Sequence, residues 1–122
     1  MPVVVALIDD LLFLSRVREA AKGSGAEVKA VRGAEALLEA CRASPDALVV
    51  ADLDSPRLGT VEAVKALRAD AALARIPVVG FLSHVHAGLA RDAREAGVTR
   101  VLARSAFVQE LPELIGRGGR LE

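Results

Sequence analysis

The chain has 122 residues, of which 52% are hydrophobic and 26% charged, and its 16 basic side chains balance 16 acidic ones. This length and composition favour one globular domain, and the zero net charge argues against broad electrostatic binding of nucleic acid or an anionic membrane. No apolar run reaches the length of a membrane span, and the N-terminus lacks the basic flank of a secretory signal. A single cysteine excludes an internal disulfide. We therefore expect a cytoplasmic protein without direct nucleic-acid or membrane binding.

Short β-branched runs alternate with helical patterns along the chain. Val3–Ile8 is a continuous apolar run, which predicts a strand buried on both faces, and it ends at Asp9 and Asp10. A second buried strand is predicted at 47–51 and ends at Asp52. Further strands are predicted at 27–31, 76–82 and 98–103. Strand 27–31 is partly polar, which is typical of a sheet edge.

Helices are predicted between the strands from apolar residues at helical spacing. Cys41 falls on the apolar face of the second helix, which indicates core packing, and Pro112 is expected near the first turns of the last helix or at a kink. Five strands alternating with five helices predict an α/β fold: a doubly wound, five-stranded parallel sheet in the flavodoxin-like order 2-1-3-4-5, with helices on both faces. We expect the domain to span residues 1–116 and a short flexible tail to span residues 117–122.

Acidic residues end the two strands at which the predicted strand order reverses. Ligands of open α/β sheets bind at this point, beyond the carboxyl ends of the strands, so Asp9, Asp10 and Asp52 are expected to converge there. Three neighbouring carboxylates repel one another unless a cation compensates, and their oxygens suit Mg²⁺. The alternative interpretation is that such acids cap helices or face water.

Two further polar residues follow the neighbouring strands. Ser83 comes after strand 4 and Arg104 after strand 5. A hydroxyl and a cation beside the acids could hold an anionic group attached to one carboxylate. The alternatives are a loop or helix-cap serine and a surface arginine.

Several short runs at the strand ends form a specific set. They are Ile8-Asp9-Asp10, Ala51-Asp52-Leu53-Asp54-Ser55-Pro56, Phe81-Leu82-Ser83-His84, Glu95-Ala96-Gly97-Val98 and Leu102-Ala103-Arg104-Ser105. Together they resemble the receiver domain of two-component response regulators. The resemblance extends from about Val3 to Ile115, nearly the whole chain.

The resemblance implies a role for each matched position. Asp52 would accept a phosphoryl group from a histidine kinase or phosphotransfer protein, and Ser83 and Arg104 would contact that group. The implied ligands of Mg²⁺ are the carboxylates of Asp9, Asp10 and Asp52 and the backbone carbonyl of Asp54. The chain would signal through a downstream protein effector, and its only enzymatic activity would be Mg²⁺-dependent self-phosphorylation and self-dephosphorylation of Asp52.

Three positions depart from the family pattern. Val101 stands where the family has a switching Tyr or Phe, Arg104 where it has lysine, and Ser105 where it has a proline after a cis bond. A cis bond before serine costs about 3 kcal/mol, so we expect a trans bond and a reshaped loop around Arg104. These departures leave a second interpretation, in which a degenerate receiver serves as an interaction module independent of phosphorylation. A dehalogenase-type hydrolase, suggested by Asp52-Leu53-Asp54, is disfavoured because that motif belongs at the first strand of a longer chain.

Two surface features have open interpretations. His84 could restrict access to Asp52 or make the site pH-sensitive, or it could be an exposed loop histidine. The face formed by helix 4, strand 5 and helix 5 carries mixed charges from Arg91, Asp92, Arg94, Glu95 and Arg100. Such a face suits a homodimer with a reciprocal two-fold contact, and the alternative is a solvated surface.

Overall fold

A computed structural model describes residues 2–83 and 86–117 of the protein. The strands are β1 (Val3–Leu7), β2 (Glu27–Val31), β3 (Leu48–Asp52), β4 (Val78–Leu82) and β5 (Arg100–Ala103). The helices are α1 (Leu11–Gly23), α2 (Ala34–Ala43), α3 (Thr60–Ala69), α4 (Ala87–Ala96) and α5 (Arg104–Gly116). The strands pair in parallel in the order β2-β1-β3-β4-β5, which confirms the predicted doubly wound α/β fold.

The sheet separates two hydrophobic clusters, because successive side chains of a strand point to opposite faces. Val5 and Leu7 of β1 pack with α2, α3 and α4 on one face, whereas Val4 and Ala6 pack with α1 and α5 on the other. Every residue of β3 and β4 is buried, whereas the edge strand β2 is partly exposed, as its polarity predicts. Cys41 lies fully inside the first cluster, which confirms core packing, and burial raises the pKa of its thiol to about 11.

Some predicted strand starts are wrong. Strand β4 begins at Val78 rather than at residue 76. Strand β5 begins at Arg100 rather than at residue 98, because the Val98 N–H donates to the carbonyl of Ala93 in the C-terminal cap of α4 and is unavailable to the sheet. Pro112 lies well inside α5 and not near its first turns, because α5 begins directly after β5, and the alternative of a kink stays a prediction. The bond between Arg104 and Ser105 is trans, as predicted.

Across residues 2–83 and 86–117, no helix is both long and apolar enough to cross a membrane. His84 and positions 118–122 of the predicted tail lie outside the described residues.

The side chain of Arg68 joins α3 to the segment that precedes β4 and to the residue that follows α4. Its Nε donates to the carbonyl of Gly97 (2.9 Å), and its Nη1 donates to the carbonyls of Ala74 (2.9 Å) and Ile76 (2.7 Å). Gly97 has φ +112°, and a Cβ at this position would lie 2.6 Å from Cγ of Arg68. The turn that directs the chain into β5 therefore requires glycine both for its backbone conformation and for space.

We predict that Gly97→Ala lowers the free energy of unfolding by about 1–3 kcal/mol, since the variant combines backbone strain with displacement of Arg68. Urea denaturation followed by circular dichroism measures this loss. Gly88→Ala is the matched control, because Gly88 lies in α4 and a Cβ there meets no atom within 4 Å. The control should be neutral or slightly stabilised. Equal losses in both variants would contradict the role assigned to Gly97.

Candidate functional site

Parallel pairing of the central strands brings the predicted acids to one edge of the sheet. Leu7 of β1 lies opposite Ala51 of β3, so the residues that follow each strand emerge side by side. Asp52 is the last residue of β3 and only 2% exposed, whereas Asp9 and Asp10 are partly buried. The site therefore has one buried carboxylate, Asp52, and the more accessible Asp9, whose charge acts on Asp52, whereas Asp10 is directed to the start of α1.

Asp10 caps helix α1. Its Oδ1 accepts hydrogen bonds from the backbone N–H groups of Leu12 (2.9 Å) and Phe13 (3.2 Å). The interpretation of an acid as a helix cap is thus confirmed for Asp10. Both bonds use the same oxygen, which leaves Oδ2 available to a ligand.

Asp9 and Asp52 are also each oriented by one hydrogen bond. Oδ2 of Asp9 accepts from the hydroxyl of Ser55 (3.0 Å), and Oδ1 of Asp52 accepts from the N–H of Asp54 (2.9 Å). Each carboxylate of the trio therefore has one oxygen held by the protein and another outside these bonds.

Arg104 lies on the other side of Asp52, as its position after β5 predicts. Its Nη2 is 3.7 Å from Oδ2 of Asp52, and its Nε donates to Oδ2 of Asp54 at 3.3 Å. Its side chain is about one-third exposed. The guanidinium of Arg104 is thus paired with two carboxylates.

A stack of aromatic rings lies beneath the guanidinium. The centroids of Phe13 and Phe81 are 4.9 Å apart, and those of Phe81 and Phe107 are 4.4 Å apart. The guanidinium carbon of Arg104 lies 4.9 Å from the Phe13 centroid and 5.9 Å from that of Phe81. A planar arginine gains cation–π contact here, which gives a physical reason for arginine where the family pattern has lysine.

The carboxylate of Asp54 is a part of the site that the sequence analysis missed. Only its backbone carbonyl was assigned, yet its side chain is 14% exposed and turned inward. Its Oδ2 accepts from the N–H of Ser83 (2.8 Å) as well as from Arg104. Its Oδ1 is buried and has no hydrogen-bond partner among the described residues, and Nε2 of His86 lies 3.7 Å away. The available signal in the sequence was a second acid, two residues after Asp52 and just beyond a buried strand.

Burial raises the pKa of the Asp52 carboxyl above its ordinary value. The N–H of Asp54 and the charge of Arg104 oppose this shift, whereas the carboxylates of Asp54 and Asp9 reinforce it. The ionised form of Asp52 is therefore destabilised in the folded protein unless a cation joins the site.

The carboxylate oxygens of the site are the type of ligand that Mg²⁺ prefers. Within residues 2–83 and 86–117, no three His, Cys, Asp or Glu side chains already converge as a metal-binding group. Mg²⁺, however, is commonly bound through one or two carboxylates together with waters and substrate phosphates. Asp9 and Asp52 supply two such carboxylates, and Asp10 has one oxygen outside its cap.

Ser83 and Val101 border a small cleft between α4 and β5. The cleft measures about 140 Å³ and is also bordered by His86 and Arg94. The Ser83 hydroxyl makes no hydrogen bond within the described part of the chain, although its backbone N–H is held by Asp54. Val101 is partly buried and lines this cleft with an aliphatic side chain.

Two leucines at the start of α1 are exposed beside the acids. Leu11 is 73% and Leu12 62% exposed, and both are large hydrophobic side chains. They form a small exposed apolar patch next to the acids. Their exposure was not predicted from the sequence.

Comparison with known proteins supports the fold. No protein-family model and no curated protein sequence matches the chain. A response regulator from Hahella chejuensis aligns over 100% of both chains at 20% identity and a TM-score of 0.82. A putative response regulator from Chloroflexus aurantiacus aligns over 95% of each chain at 20% identity and a TM-score of 0.80.

A third similar structure is the receiver domain of the sensor histidine kinase PA1611 from Pseudomonas aeruginosa. It covers 94% of each chain at 18% identity and a TM-score of 0.78, and it is described with a magnesium ion coordinated in its active-site cleft. At these identities the likeness establishes the fold. The chain has the fold of a response-regulator receiver domain over nearly its whole length, which confirms the resemblance found in the sequence.

We predict that Asp52→Asn raises the melting temperature by a few degrees at pH 7 in the absence of divalent cations. Because burial raises the pKa of Asp52, the cost in stability is complete above the folded pKa and fades as the pH falls through the unfolded pKa of about 3.9, below which both states become protonated. The gain should therefore shrink as the pH falls toward 4. Calorimetry at several pH values measures it.

Asp46→Asn is the control for this experiment. It removes the same charge at a residue that is exposed in the turn before β3. A variant Asp52→Asn that is no more stable than the native protein at pH 7 would show that Asp52 is not destabilised by burial.

Proposed function

We propose that the protein is a response-regulator receiver that accepts a phosphoryl group on Asp52. The observation that carries this proposal is the placement of Asp52 on a receiver fold, buried at the carboxyl edge between the acids that follow β1 and the guanidinium of Arg104. Phosphoryl transfer depends on positioning and charge neutralisation more than on covalent machinery, and this site supplies both.

In the proposed reaction, an oxygen of Asp52 attacks the phosphorus of a phosphohistidine on a kinase or phosphotransfer protein. The new O–P bond forms as the P–N bond breaks, and the electron pair stays on the imidazole nitrogen, which takes up a proton. Self-dephosphorylation reverses the modification: water attacks the phosphorus, and Asp52 leaves as a carboxylate. These are the only reactions that we propose for the chain.

The residues around Asp52 have separate proposed roles. Asp9, Asp10, Asp52 and the backbone carbonyl of Asp54 would hold Mg²⁺, which when bound neutralises charge on the transferred group. Arg104 would bind phosphoryl oxygens through its N–H groups. The Ser83 hydroxyl, which has no other hydrogen bond in the described structure, would donate to the same group.

A phosphorylation-independent interaction module is the second candidate function. Two observations favour it. The Asp54 carboxylate already holds both Arg104 and the N–H of Ser83, and Val101 provides no ring to relay a change at Ser83. In this case, the site would stabilise one fixed conformation of the surface.

The proposed signal enters and leaves through protein contacts in the cytoplasm. Exposed Leu11 and Leu12 lie beside the acids and would contact the kinase or phosphotransfer protein. A downstream protein effector, or a second copy of the chain, would bind the face formed by α4, β5 and α5. On that face Arg100 is paired with Glu110 at 2.8 Å.

We predict that incubation with acetyl phosphate and Mg²⁺ increases the mass of the protein by one phosphoryl group, measured by intact-protein mass spectrometry. Asp52→Asn should abolish the gain because it removes the nucleophilic carboxylate. Asp46→Asn should retain it. If the native protein gains no mass at any Mg²⁺ or donor concentration, the interaction module becomes the favoured function.

We predict that Asp10→Asn weakens Mg²⁺ binding on the order of tenfold without loss of thermal stability, because asparagine retains the capping oxygen but lacks the charge. Asp10→Ala should lose both the affinity and about 1 kcal/mol of stability. Isothermal titration and thermal denaturation separate the two roles. Native Mg²⁺ affinity in Asp10→Asn would leave Asp10 as a helix cap alone.

A further inference from the structure

The carboxylate of Asp54 holds Arg104, the cation that a phosphoryl group on Asp52 would need. Its Oδ2 receives the N–H of Ser83 at 2.8 Å and Nε of Arg104 at 3.3 Å. Arg104 is further from Asp52, at 3.7 Å. The stronger attachment of the guanidinium is therefore to Asp54 and not to the proposed phosphoacceptor.

This carboxylate also connects three segments of the chain. Asp54 belongs to the loop after β3, Ser83 follows β4, and Arg104 opens α5. With 14% exposure, the Asp54 side chain is largely screened from water, so its interactions are less weakened by solvent than those of a surface pair. Oδ1 lies buried without a hydrogen bond among the described residues. The hydrogen bonds that hold the carboxylate are thus made through Oδ2, and Nε2 of His86 lies 3.7 Å from Oδ1.

We propose that Asp54 is a positioning residue whose carboxylate competes with the phosphoryl group for Arg104, while its bond to the Ser83 N–H fixes its position. This inference rests on the proposed function, since it concerns the group that Asp52 would carry. We call these three interacting groups, the Asp54 carboxylate, the Ser83 N–H and the Arg104 guanidinium, the Asp54 latch.

Charge explains why the two anions compete. Phosphorylation replaces the single negative charge of the Asp52 carboxylate with almost two on the phosphoryl group, and one guanidinium cannot neutralise both that group and the Asp54 carboxylate. Phosphorylation would therefore draw Arg104 away from Asp54. The latch lowers the affinity of the site for anions, and loss of the Arg104 contact uncouples the loop after β3 from the start of α5.

The test compares Asp54→Asn with the native protein and with Asp46→Asn, which makes the same charge change at an exposed distant position. Inorganic phosphate is titrated without Mg²⁺, and binding is followed by NMR at the Ser83 amide and the Arg104 Nε–H. Asp54→Asn should bind phosphate on the order of tenfold more tightly, because it removes a full negative charge from the guanidinium. Asp46→Asn should match the native protein.

Specificity of the effect is checked by a double variant. Adding Arg104→Ala to Asp54→Asn should return phosphate binding to the native level or below. If Asp54→Asn does not fold, Asp54→Ser serves instead, because its smaller neutral side chain also vacates Arg104. Equal phosphate affinity in the native protein and the folded neutral variant would overturn the latch.

A second measurement separates failure of the latch from failure of the proposed function. With acetyl phosphate and Mg²⁺, the P–O bond to acetate breaks, acetate leaves with the electron pair, and Asp52 gains the phosphoryl group. The latch predicts faster phosphorylation in Asp54→Asn than in Asp46→Asn. If no variant is phosphorylated but phosphate still binds more tightly to Asp54→Asn, the proposed function fails and the latch stands. Equal phosphorylation rates with equal phosphate affinities overturn the latch and leave the function.

Discussion

The parallel pairing of β1, β3 and β4 is the constraint on which the site depends. It places the carboxyl ends of all three strands at one edge, so that residues distant in the sequence become neighbours. Hydrophobic clusters on both faces hold the strands in this register, since a shift by one residue would turn buried side chains outward. The burial that stabilises the sheet also raises the pKa of Asp52, so the packing of the sheet also affects the protonation of this carboxyl.

Arg104 takes part both in the packing of the fold and in the charge balance of the site. It compensates the charges of Asp52 and Asp54 while resting on the ring of Phe13. A lysine would offer a point charge on a flexible stem, whereas the planar guanidinium contacts two carboxylates and a ring together. Arginine at this position is thus accommodated by packing against Phe13 and by ion pairs with both carboxylates.

The strand order and the position of the acids were predictable from the sequence, because buried parallel strands appear as apolar runs and the runs of β1 and β3 end at acidic residues. Other features depend on geometry that no local pattern encodes. The direction of the Asp54 side chain depends on its loop, and the contact among Phe13, Phe81 and Phe107 joins three separate elements. The start of β5 was misplaced because helix capping and sheet pairing compete for the Val98 N–H, and only the folded geometry shows which prevails.

The aromatic stack gives the protein an intrinsic spectroscopic probe. The sequence contains three phenylalanines and neither tyrosine nor tryptophan, and all three rings belong to the stack beneath Arg104. Any near-ultraviolet circular dichroism from aromatic side chains therefore originates at this one location. A ligand or modification that moves the guanidinium would change the asymmetric environment of Phe13, so the site can be observed optically in the unlabelled protein.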